Sequence, residues 1–229
     1  MSETSTSQSS ASEPSAAAAL APVSLEGLDL AALLCSRVCH DLISPVGAIV
    51  NGMEVLEDTN DESTKTFALD LIKKSATQAS AKLQFCRLAF GAAGSAGAEI
   101  DLGDAEGVAR GFIEDEKTKL RWQLPRAYLA KNRVKLLLNM LILATAVIPR
   151  GGLITVDPIG EGPTGFRIAV SGINARVASN VQNLVAGENA GGAIDAQAIQ
   201  PFYTGLLARA CGLGVTLQTE GDEVVIAAA

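Results

Sequence analysis

Between Leu30 and Leu56 the apolar residues recur three and four positions apart. At about 100° per residue, with Leu30 at zero, Leu34, Val38, Leu42, Pro45, Ile49, Met53 and Leu56 fall in one stripe from roughly 40° to 140°. The pattern predicts a long amphipathic helix over Ser24–Asp58, with Ser24 or Asp29 placed to cap its start. Pro45 sits inside it. A proline there removes one backbone donor, bends the helix and frees a carbonyl near Asp41. Thr59-Asn60-Asp61 is a tight connector, with Asp61 or Ser63 as the next cap. Ala68, Ile72, Ala79, Leu83, Cys86 and Phe90 mark a second helix over 63–90. Two long helices on a short turn make an antiparallel hairpin. Ile43, Val46 and Val50 lie off the stripe and need cover. Pairing two copies into a four-helix bundle supplies it, so a homodimer is expected.

After the glycine-rich stretch Gly91–Gly97 the period changes. Glu99–Leu102 reads as a strand, Ala105–Lys117 as a helix, and Leu120–Leu124 as a strand ended by Pro125. Lys131–Ile148 is a strongly apolar helix stopped by Pro149 and Gly151-Gly152. Leu153–Val156 and Phe166–Val170 are strands that pair as a hairpin or near-neighbours. Helices follow at Val177–Ala186 and Asp195–Cys211. Gly214–Thr219 and Glu223–Ala228 form a hairpin through Glu220-Gly221-Asp222. The fold class expected is a helical hairpin followed by an α/β sandwich, one sheet covered by helices on one face. The divisions are a disordered Ser- and Ala-rich tail (1–23), a hairpin domain (24–91), a linker (92–98) and an α/β domain (99–229).

Composition narrows the function. Of 229 residues, 48% are hydrophobic but only 4% aromatic, which favours close helix packing over an aromatic-lined ligand pocket. The net charge of −7 and the scattered Lys and Arg argue against nucleic acid as a partner. Cys35, Cys39, Cys86 and Cys211 have no zinc spacing and there is one histidine, so no metal site is expected. Reduced, packing cysteines suit a cytoplasmic protein. No apolar run of membrane length and no secretory signal is seen, so no membrane association is expected.

The one histidine, His40, falls near 280° on the same wheel, almost opposite the stripe. Arg37, Ser44, Gly47, Asn51, Glu54 and Asp58 share its side within about 60°. On geometry alone this is equally a solvated surface histidine or a reactive imidazole left open to a large partner.

The run His40-Asp41-Leu42-Ile43-Ser44-Pro45, on the first helix of a hairpin that precedes an α/β sandwich, resembles the phospho-acceptor segment of sensor histidine kinases. That resemblance spans about residues 25–229. It implies a dimerisation-and-phosphotransfer hairpin and an ATP-binding (Bergerat) fold. The kinases carry two asparagines four apart on the helix matching 131–148. Here Asn139 fits the first position but Leu143 holds the second, and Leu offers no oxygen to Mg²⁺. The adenine-reading aspartate is missing from Val170-Ser171-Gly172-Ile173-Asn174. Gly187, Gly191 and Gly192 do not make a phosphate-cradling lid. Gly212-Leu213-Gly214 resembles only the fold's helix-to-strand exit.

An acceptor histidine without an ATP site is similar to the histidine phosphotransferases of alphaproteobacteria, dimeric shuttles with a degenerate ATPase-like domain. The resemblance implies transfer from the receiver domain of a hybrid histidine kinase to His40, and then to the receiver aspartate of response regulators that control the cell cycle. It implies no cofactor of the chain's own, with Mg²⁺ carried by the partner receiver. Asp41 would orient the imidazole or accept its proton. Arg37, Ser44, Pro45, Gly47 and Asn51 would form the receiver-docking face, and Asn139 would be a structural polar residue. The competing readings are an active kinase with atypical ATP binding and a non-catalytic scaffold that binds receivers.

Overall fold

Turn chemistry and apolar period place most helices and strands near where they are expected, while the linker expected over 92–98 lies, up to 97, outside the described residues. The computed structural model describes residues 20–91, 98–160, 164–189 and 194–229. In chain order the elements are β1 (Ala21–Pro22), α1 (Gly27–Asp58), α2 (Glu62–Ala89), β2 (Glu99–Asp101), α3 (Leu102–Ile113) and β3 (Thr118–Trp122). They continue with β4 (Tyr128–Ala130), α4 (Lys131–Val147), β5 (Gly152–Ile159), β6 (Gly165–Gly172) and α5 (Val181–Ala186). The last are β7 (Glu188–Asn189), α6 (Ile199–Ala210), β8 (Val215–Glu220) and β9 (Glu223–Ala228).

The tail expected over 1–23 falls outside the described residues up to 19, and its last residues depart from expectation. Ala21–Pro22 pairs antiparallel with Glu188–Asn189, and the Val23 N–H donates to Gly187 O at 2.8 Å. Val23, Leu25, Leu30, Leu33 and Leu34 then pack on Leu184, Ile199 and Phe202. This segment is ordered because it has apolar surface to bury. It also moves the helix start to Gly27, where Glu26 occupies the cap position with no side-chain cap bond, so neither Ser24 nor Asp29 caps α1.

The hairpin forms as expected. Asp61 caps α2, its carboxylate accepting from the Thr64 N–H at 2.8 Å. Hydrogen bonds from Ser63 and Thr64 hold the Asp61 carboxyl down at about 2. Leu34, Val38, Leu42, Ile49 and Leu56 are half-buried, and Pro45 and Gly52 are fully so. Gly52 marks the closest approach of the two helices: a Cβ there would stand 2.6 Å from Ile72 Cγ1. Met53, next in sequence, lies past that line and is half-exposed. Ile43, Val46, Val50 and Met53 form an uncovered apolar row on α1, and Leu69 and Leu83 are uncovered on α2. By length and composition, α1 is long and apolar enough to cross a membrane. Here its opposite side is polar, with Arg37 and Asp41 near mid-helix.

The second part is a five-stranded sheet in the order β3-β5-β6-β9-β8. Only β3–β5 is parallel; the hairpins β5–β6 and β8–β9 are antiparallel, as is β6–β9. Period-two alternation turns Ile154, Val156, Phe166, Ile168, Val170, Val224, Ile226 and Ala228 into the core. Arg167 on the opposite face pairs with Asp157 on the adjacent strand β5 and with Glu220 on β8, two strands away across β9. α4 is buried nearly all round, from Val134 to Val147. α3 begins three residues earlier than its apolar pattern suggests because Asp101 accepts from the Gly103 N–H at 2.5 Å and caps it. It ends at Ile113, where Asp115 instead accepts from the N–H groups of Lys117 and Thr118 in a turn. Gly212, at φ 69°, closes α6: its N–H reaches Arg209 O and that of Leu213 reaches Ala208 O.

The two parts share one core. Phe85 and Ala89 of α2 are fully buried in the cluster that holds α3, α4 and the sheet, and Phe85 stacks on Phe112 at 4.1 Å.

Candidate functional site

Outside its α2-packed stripe, α1 presents His40 on the far side and Arg37 and Asp41 at the stripe's edge. The His40 side chain is 74% exposed, whereas those of Arg37 and Asp41 are 22% and 19% exposed. The Arg37 Nε–H donates to Asp41 Oδ2 at 3.1 Å, one helical turn away. Asp41 Oδ1 lies 3.4 Å from His40 Nδ1. A carboxylate accepts, so a neutral imidazole that uses this contact as a hydrogen bond donates from Nδ1 and leaves the Nε2 lone pair free. Arg37 thus holds the carboxylate that in turn holds the imidazole.

Pro45 has the effect its position implies. The Asp41 carbonyl, four residues earlier, has no N–H from position 45 to accept. Lys82 Nζ of α2 donates to it at 2.8 Å. Pro45 itself is buried against α2 and cannot face a partner. Its expected place in the docking face is therefore corrected: it lies buried beneath that face. Ser44 and Asn51 are exposed, and a Cβ at Gly47 would meet nothing within 4 Å, so these three leave open surface beside His40.

Beyond Asp41 a cleft of about 500 Å³ opens between α1 and the second part of the chain. Its far wall includes Leu143 and Thr145 of α4, Asn180, Asp195, Gln197 and Gln200. Asn139, one turn before Leu143, is completely buried. Its Nδ2 donates to Ala89 O at 3.1 Å and Lys135 O at 2.8 Å, and its Oδ1 accepts from Gln200 Nε2 at 2.8 Å. Asn139 ties α4 to the end of α2 and to α6. This network fixes both amides, leaving Gln200 Oε1 without a partner among the described residues. Gly187 is the left-handed cap of α5; Gly191 and Gly192 lie outside the described residues. Among the described residues no cluster of three or more His, Cys, Asp or Glu is placed to hold a metal ion.

Lys82 and the cleft were missed in the sequence. The proline announces a bare carbonyl but not its donor. The hairpin register that sets Gly52 against Ile72 carries Asp41 to the level of Lys82, so counting across the turn could have found it. The cleft has no local signature, because its walls are distant in sequence.

The family described as the histidine phosphotransferase C-terminal domain matches residues 102–223. The protein phosphotransferase ChpT of Brucella abortus (strain 2308) is 48% identical over 208 residues, spanning 90% of this chain and 98% of its own. A solved structure described as a bacterial phosphotransferase superposes with a TM-score of 0.83 at 46% identity, covering 91% of this chain and 99% of the other.

Proposed function

Taking as premise that the chain belongs to the histidine phosphotransferase family, we propose that His40 is the residue that carries the phosphoryl group. The observation that carries this reading is the geometry of the one histidine: Nδ1 held by Asp41, Nε2 open, and the ring exposed on a rigid helix. The Nε2 lone pair attacks the phosphorus of an aspartyl phosphate on a receiver domain. The N–P bond forms as the acyl P–O bond breaks, and the receiver carboxylate leaves. The ring becomes cationic, and Asp41 stabilises that charge or takes the Nδ1 proton. The second half is the reverse reaction on another receiver aspartate. Transfer of this kind depends on in-line positioning and charge neutralisation, and the receivers supply the Mg²⁺.

Around His40, Ser44, Gly47 and Asn51 form the open face that admits a receiver, with Arg37 at its edge near the phosphoryl oxygens. The donor is the receiver of a hybrid histidine kinase, and the acceptors are response regulators of the cell cycle. The row Ile43, Val46, Val50 and Met53 pairs with a second copy in a four-helix bundle. With one side of α1 on α2 and the next on that copy, the chain works in the cytoplasm. On this reading the described residues of the second part hold no kinase-like nucleotide site: Asn139 is committed to three protein partners and Leu143 puts hydrocarbon on the cleft wall. Phosphoryl groups therefore enter only from a receiver.

The test is to incubate the chain with a phosphorylated receiver and map the label. Acid-labile, base-stable phosphate at His40, absent in His40→Gln with fold and dimer intact, is the expected result. No label at His40 refutes the reading, and a His40→Gln protein that still supports signalling would mark a scaffold instead.

A further inference from the structure

One contact near His40 has no part in the scheme above. It joins a backbone defect on α1 to a charged side chain on α2. Pro45 cannot return an N–H to the Asp41 carbonyl, and that carbonyl belongs to the peptide that follows the His40–Asp41 pair. A helix carbonyl left bare beside a proline turns to water or shifts until another donor reaches it. Here Lys82 Nζ reaches it at 2.8 Å from the neighbouring helix, 41 residues away in sequence, with the contact half-buried. The bond is charge-assisted, since the donor is an ammonium. It clamps the level of α1 at which Asp41 leaves the backbone toward both Arg37 and His40.

We infer that Lys82 is a positioning residue for phosphoryl transfer: it replaces the donor Pro45 lacks, and so fixes the backbone from which Asp41 holds the His40 imidazole. The inference rests on the proposed role of His40. The hydrogen bond of Lys82 is to the Asp41 carbonyl and not to the His40 ring, so it acts through the Asp41 backbone. Pro45 leaves the carbonyl bare, and Lys82 supplies the donor. A single bond across a helix pair holds that carbonyl only while α1 and α2 keep their register, which the close approach at Gly52 enforces. Displacement of a reacting group by about 1 Å is enough to cost roughly a hundredfold in rate. Removing the clamp should therefore lower the rate of transfer more than the affinity for the receiver.

The experiment compares wild type, Lys82→Met, Lys82→Arg and the double variant Lys82→Met/Pro45→Ala in single-turnover transfer from a phosphorylated receiver. Receiver affinity and oligomeric state are measured alongside. Lys82→Met should slow transfer roughly ten- to a hundredfold at unchanged receiver affinity, and Lys82→Arg should restore most of it. The double variant should regain rate over Lys82→Met, because alanine returns an N–H to the Asp41 carbonyl and makes the lysine dispensable. A Lys82→Met protein as fast as wild type overturns the inference. So does a double variant as slow as the single one, which would mean that the lysine acts by its charge on the phosphoryl group. If wild type itself takes no label at His40, the phosphotransfer reading fails first; if wild type labels and Lys82→Met matches it, only the present inference fails.

Discussion

Replacing Asn139 separates a structural role from a chemical one. In Asn139→Ala, Gln200 Nε2 loses its acceptor and Ala89 O loses its side-chain donor, both deep in the core. The Lys135 carbonyl is less affected, because it also faces the backbone N–H of the next helical turn. Each buried group left unpaired costs about 1–3 kcal/mol, so the two together destabilise the chain by about 2–6 kcal/mol. That is a large part of the roughly 5–15 kcal/mol that holds a typical domain folded. Urea unfolding followed by circular dichroism should show a lower midpoint at a similar slope. Transfer to His40, measured at low temperature on the folded fraction, should stay close to wild type, since no atom of Asn139 reaches the His40 side of the cleft. A fully stable Asn139→Ala protein would refute the structural account. A stable protein that had also lost transfer would put Asn139 back in the chemistry.

Asp41→Asn keeps the shape of the side chain but removes the charge that holds both Arg37 and His40. It should slow transfer by about a hundredfold or more in rapid-quench assays without changing helix content. Val46→Glu with Val50→Glu places two acids in the uncovered row of α1; light scattering should show a monomer where the wild type is a dimer, with circular dichroism unchanged. The Asp61 carboxyl is held near 2 in the folded chain against an ordinary value of 3.8, so the stability it contributes is complete above about 4 and is lost as pH falls toward 2. Asp61→Ala should lower the thermal midpoint at neutral pH, and the gap from wild type should narrow over that acid range. A gap that stayed constant from pH 5 to 2 would rule out the carboxylate as the source.

What could be read from the sequence was what depends on neighbours along the chain. The 3.6-residue period located α1 and α2 to within a few residues, and strand alternation found every strand of the large sheet. The Pro45 rule anticipated a bare carbonyl at Asp41, and Asn139 was read as structural before its three hydrogen bonds were seen. What failed depended on distant neighbours. Ala21–Pro22 and Glu188–Asn189 pair with each other across a long stretch of sequence, so neither has a local signal. The helix expected to begin near Ala105 begins at Leu102 because a strand residue, Asp101, doubles as its cap. Pro45 was assigned to the docking face by its motif position, although its own place on the apolar stripe already pointed it inward. The cleft beside Asp41 exists only once α1 lies against α6.

Phe85 and Ala89 belong to a helix that carries the hairpin, yet their side chains are packed as part of the sheet domain. The two parts are thus joined through a shared interior, and on the proposed reading bringing phosphate to His40 needs no swing of one part onto the other. On the proposed reading this makes the protein a passive conductor. A relay of that kind adds no driving force of its own, so the net current through His40 would follow whichever receiver population holds more phosphate. Reversing the ratio of the two phosphorylated receivers should reverse the flow through the same histidine.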